Sequence, residues 1–67
     1  MAAPPQTVVF PWIGALKTFG SSGPMYEVLG PAGYSAQGKE LVSIRVFGTG
    51  EVTKYPLEAM LDDPEAV

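Results

Sequence analysis

The chain has 67 residues, with no cysteine and no histidine, and sets 4 basic side chains against 7 acidic ones for a net charge of −3. These counts exclude disulfide bridges, thiol nucleophiles, imidazole-based triads and the usual zinc sites made by this chain alone. They also argue against nucleic acid as a partner, because a net negative protein releases few counterions from a phosphate backbone.

A chain of this length forms one small domain and buries only about 60% of its unfolded surface. Hydrophobic residues make up 46% of it, while charged residues make up 16%. Such a composition leaves little polar material to cover apolar surface. The uncovered part is therefore expected either to bind a protein partner or to bring copies together as a homo-oligomer. The start, Met1–Gln6, carries no positive side chain, and the apolar tract Thr7–Leu16 is broken by Pro11 and Gly14. That tract is about half of what a membrane-crossing helix needs. A cytoplasmic protein with no membrane segment is the expectation, and the absence of cysteine fits a reducing compartment.

In chain order, residues 1–6 read as an extended tail, with Pro4-Pro5 favouring polyproline geometry. Residues 7–64 read as a single domain and 65–67 as a C-terminal tail. Thr7–Phe10 has the β-branched and aromatic content of a strand, closed by Pro11. Trp12–Phe19 reads as a second strand, and Gly20-Ser21-Ser22-Gly23-Pro24 as a loop. Met25–Leu29 reads as a short strand ending at Gly30-Pro31, followed by a loop to Gly38 in which Tyr34 is the one large side chain. Leu41–Phe47 alternates Val42, Ile44 and Val46 against Ser43, Arg45 and Phe47, which marks a half-buried strand. Gly48–Glu51 is a turn, Val52–Tyr55 the returning strand, and Pro56 its end or a mark of an edge. Leu57, Met60 and Leu61 then share one face of a helical turn that Pro64 stops at Asp63. The expectation is all-β: a small SH3-like barrel of about five short strands with one C-terminal helical turn. An open four-stranded sheet with a small helix is the alternative.

No catalytic residue, metal ligand or cofactor follows from these residues. Ser21, Ser22, Ser35 and Ser43 have no histidine to activate them, and the lysines stand in polar sequence settings. Glu58, Asp62, Asp63 and Glu65 lack the spacing of a calcium loop and read as a solvated, solubilising end. Neither Gly48-Thr49-Gly50 nor Gly20–Gly23 has the Lys-Ser/Thr ending of a phosphate loop. Arg45 and Lys54, on facing strands, make at most a small positive spot. The aromatics carry the functional reading: Trp12, Phe19, Tyr34 and Phe47 are the candidate partner-binding residues, in excess of what so small a core hides.

The segments Lys17–Gly20, Gly23–Val28, Thr49-Gly50-Glu51, Tyr55-Pro56-Leu57 and Leu61–Pro64 resemble a family of short uncharacterised proteobacterial proteins. That resemblance implies a bacterial origin and no assigned activity. Val52–Ala59 is similar in layout to the end of the plasmid-borne dihydrofolate reductases, small SH3-like barrels that assemble as tetramers around a pore. Thr53 and Lys54 depart from that family's Gln and Ile, so the resemblance implies the barrel plan and not folate or NADPH binding. The expected function is a non-enzymatic protein-interaction module. A mobile-element-encoded inhibitor of a host complex and an oligomeric reductase-like enzyme are the alternatives.

Overall fold

The computed structural model describes residues 10–66. Four strands, β1 (Leu16–Thr18), β2 (Met25–Tyr34), β3 (Glu40–Val46) and β4 (Val52–Pro56), precede a single helix, α1 (Leu57–Asp62). They form one antiparallel sheet in the order β1-β2-β3-β4, each strand beside its neighbour in sequence. The all-β class stands, and the sheet is open: among the described residues no ladder joins β4 to β1. The expected tail, residues 1–6, most of the expected strand Thr7–Phe10, and Val67 lie outside the described residues.

The β3–β4 hairpin follows the period-two pattern closely, pairing Val42 with Tyr55, Ser43 with Lys54, Ile44 with Thr53 and Arg45 with Val52. Two stretches differ from the sequence expectation. Only Leu16–Thr18 of the expected strand Trp12–Phe19 is paired as a strand, because residues 11–14 form a turn closed by Ala15 N–H on Trp12 O (2.9 Å). β2 does not end at Gly30-Pro31 but runs on to Tyr34, with register shifts between Val28 and Gly30 and between Pro31 and Tyr34. Proline is tolerated there because β1 pairs only as far along β2 as Glu27. Beyond Val28 that strand is an edge, where a missing N–H costs no ladder bond on the open side.

Tyr26, Val28, Val42, Ile44 and Met60 form the fully buried core, and Phe10, Trp12, Ala15, Phe19, Val46, Tyr55 and Leu57 pack against it. The four sheet residues among the five lie on one face by alternation, and α1 lays Met60 onto them. Each such side chain stabilises the fold by about 1.5–3 kcal/mol. Leu61, expected on the buried face of the helix, is exposed. A six-residue helix rests on the edge shared by Leu57 and Met60, and Leu61 lies about 70° round from its centre. No helix among the described residues is long and apolar enough to cross a membrane.

After α1 the chain returns to β1. Thr18 N–H donates to Pro64 O (3.1 Å), Ala66 N–H to Leu16 O (2.9 Å), and Lys17 pairs with Glu65 in a single antiparallel bridge. Of the stretch expected as a C-terminal tail, Glu65 thus faces Lys17 across the outer edge of β1 and Ala66 is hydrogen-bonded to it.

Candidate interaction surface

Alternation that turns Val42, Ile44 and Tyr26 inward turns Ser43, Arg45 and Glu27 outward. The register places Leu16, Glu27, Arg45 and Val52 in one row across all four strands on that outer face. In the next row, Phe47 N–H donates to Met25 O (2.9 Å), setting Phe47 beside Met25, which itself pairs with Thr18. Arg45 Nη2 donates to Glu27 Oε1 at 2.9 Å, an ion pair on the partly exposed surface. Pairs of this kind contribute about 0–1 kcal/mol and do not rigidify a site. Arg45, Val46, Phe47, Gly48, Thr49 and Gly50 line a shallow open cleft of about 350 Å³ at the end of the hairpin. Its wall follows from the turn, where Gly48 (φ 96°) and Gly50 (φ 72°) take the left-handed backbone that glycine adopts without strain.

The four aromatic candidates separate into two kinds. Trp12 is half-buried and meets Phe10 edge to face at 5.2 Å between ring centres. Phe19 packs on Tyr26 (4.5 Å) and edge-on to Tyr55 (5.2 Å), so it belongs to the core wall. Tyr34 and Phe47 remain outside, 71% and 44% exposed, and Val52 joins them at 57%. Tyr34 pairs with Glu40 at one end of the β2–β3 hairpin, whereas Phe47 lies beside Met25 at the other. The four therefore do not meet in a single groove. Phe47 shares its face with Val52, which sequence reasoning did not single out although its β-branched side chain pairs with outward-facing Arg45.

Beneath the opposite face is a polar cluster that the sequence reading did not find. Lys17 is buried, and its Nζ donates to Met60 O (2.7 Å) and Asp63 O (2.9 Å). Asp63 Oδ2 accepts from Tyr26 Oη (2.7 Å) and Tyr55 Oη (2.8 Å), and Oδ1 from Gly20 N–H (3.1 Å). Burial pushes the Asp63 carboxyl up, but the bonds from Tyr26, Gly20 and Tyr55 and the charge of Lys17 outweigh it and hold the carboxyl below its usual range. Burial and the adjoining carboxylate push both phenols up, Tyr55 to about 12 and Tyr26 further. Lys17 and Asp63 thus depart from the expected polar setting and solvated end. The cluster joins the last turn of α1 to β1, β2 and β4. Each of its buried side-chain polar atoms has a hydrogen-bond partner. Of the other acidic residues, Glu58 pairs with Lys39 (2.8 Å). No group of three acidic side chains able to hold a metal ion occurs among the described residues.

Compared with known proteins, the chain matches none of the curated ones. A family model does match, over residues 1–67, and the chain belongs to the family that model describes, a family of unknown function (DUF5397).

Proposed function

We propose that this chain is a non-enzymatic binding module, acting in the cytoplasm, that engages a protein partner through the outer sheet face at the end of the β3–β4 hairpin. Phe47 and Val52 supply apolar contact, and Arg45 supplies a donor held loosely by Glu27. One observation carries the reading: the core and its walls take in Phe10, Trp12, Phe19, Tyr26 and Tyr55, yet Phe47 and Val52 stay exposed on one face beside a cleft. Exposed apolar side chains grouped next to an arginine are the composition of an interface centre. The return of Pro64–Ala66 to β1 supports a barrel-like frame for this surface, since it brings a fifth extended segment to the far edge of the sheet.

The test is retention of proteins from a lysate of the source cells on the immobilised chain, comparing wild type with Phe47→Ser, Val52→Ser and, as a control, Tyr34→Ser. A protein retained by wild type and Tyr34→Ser but released by Phe47→Ser and Val52→Ser, with all variants melting alike, supports the proposal. Retention indifferent to Phe47 and Val52, or no retention at all, overturns it.

A further inference from the structure

Among the described residues the sheet has three stretches of edge, and they differ. The outer edge of β1 is covered by Pro64–Ala66. The part of β2 beyond β1 carries Gly30, Pro31 and two register shifts, which spoil it as a template for another strand. Among the described residues, β4 alone is regular, in continuous register with β3, and uncovered. Val46 N–H donates to Glu51 O (2.8 Å), so by antiparallel alternation Ile44–Thr53 and Val42–Tyr55 are the hydrogen-bonded pairs. The N–H and C=O groups of Val52 and Lys54 therefore point away from β3, toward solvent. Val52, Thr53 and Lys54 are all exposed.

We propose that this edge takes an extended acidic peptide segment as an added strand, a proposal that rests on the reading of the chain as a protein-binding module. Charge selects the occupant. Lys54 stands on the same face as Arg45 and has no ion-pair partner among the described residues, while Glu27 is already engaged by Arg45. A carboxylate across from Lys54 and an apolar side chain two residues away, across from Val52, would match the edge at both positions. A second copy of the chain fits less well. With Thr53 on a two-fold axis, Lys54 of each copy would face Val52 of the other, setting an ammonium against an apolar side chain. The added strand would also continue the face that bears Val52, so main-chain bonds and the Phe47 surface would serve one partner.

The experiment selects binders to the full chain from a displayed library of random linear peptides. The synthesised winners are then followed by amide exchange and chemical shifts on isotope-labelled protein. Support consists of winners with a carboxylate two positions from an apolar residue and slowed exchange at the Val52 and Lys54 amides. Binding should weaken about tenfold or more in Lys54→Glu and persist in Lys54→Arg. Winners that shift Phe47 and Arg45 without protecting the Val52 and Lys54 amides overturn strand addition and leave the binding module standing. Protection of those amides by self-association, or no winner at all, overturns strand addition. The lysate comparison at Phe47 and Val52 then decides the broader reading by itself.

Discussion

Lys17 and Asp63 meet through the main chain: the ammonium binds the Asp63 carbonyl at 2.9 Å, while the Asp63 carboxylate turns away to the hydroxyls of Tyr26 and Tyr55. No direct ion pair between them occurs among the described residues. The lysine anchors the end of α1 by its backbone, and the aspartate anchors the same point by its side chain. Lys17→Met keeps the length of the stem but strands the Met60 and Asp63 carbonyls, one of them buried. A loss of about 2–4 kcal/mol in denaturant unfolding is expected, and an unchanged midpoint would show that the buried ammonium is dispensable.

Tyr26 and Tyr55 share one acceptor oxygen, Asp63 Oδ2. Tyr26→Phe and Tyr55→Phe should each cost about 1–2 kcal/mol. The double variant should cost measurably more or less than the sum, because removing one donor changes what the carboxylate offers the other. A double-mutant cycle by urea unfolding gives the coupling energy, and strict additivity would mean that the two bonds are independent.

Stability should fall at both ends of the pH scale. The Asp63 carboxyl is held below its ordinary value in the folded chain, so the stabilisation it provides is complete above the unfolded value of about 4. That stabilisation is lost as the pH drops below this toward the folded value. The phenols of Tyr26 and Tyr55 are raised, Tyr55 to about 12. Above about pH 10 the unfolded tyrosines ionise first, and the folded state loses stability with rising pH. Melting temperature against pH should show both declines. Asp63→Asn should flatten the acid side, and Tyr26→Phe together with Tyr55→Phe the alkaline side.

Gly23 is constrained by space and not by backbone angle. Its N–H donates to Phe19 O (3.0 Å), and a Cβ there would collide with that same oxygen and come within 2.8 Å of the Phe19 Cβ. Gly23→Ala should therefore cost about 1–3 kcal/mol and disturb the packing of Phe19 on Tyr26. The near-ultraviolet circular dichroism of the aromatic cluster would report that disturbance, and a variant with unaltered stability and spectrum would contradict this account of the loop.

The sequence was most legible where side-chain period and turn chemistry agree. Leu41–Phe47, the glycine turn and Val52–Tyr55 read directly as a hairpin, and Leu57 and Met60 as one turn of helix. Legibility ended where tertiary partners outweigh local signals. Gly30 and Pro31 look like the close of a strand, yet half of β2 lacks a neighbour on one side and so accommodates both. Lys17 and Asp63 look like surface charges because their acceptors and donors stand 37 to 46 residues away, apart from Tyr55 at 8. The aromatic excess was visible in composition, but only the tertiary packing showed that Phe19 and Trp12 serve the core while Phe47 faces out with Val52.

The bridge from Lys17 to the far end of α1 also bears on how the molecule folds. Its two bonds span 43 and 46 residues, so closing that loop costs about 2 kcal/mol more in entropy than closing the short hairpin turns. The β2–β3–β4 meander can assemble from neighbouring contacts, whereas the lysine finds its acceptors only when the ends of the domain come together. Interactions absent from the transition state act on the rate of opening. The buried ammonium is then a kinetic fastener: its removal would leave the folding rate nearly unchanged and make the native state short-lived.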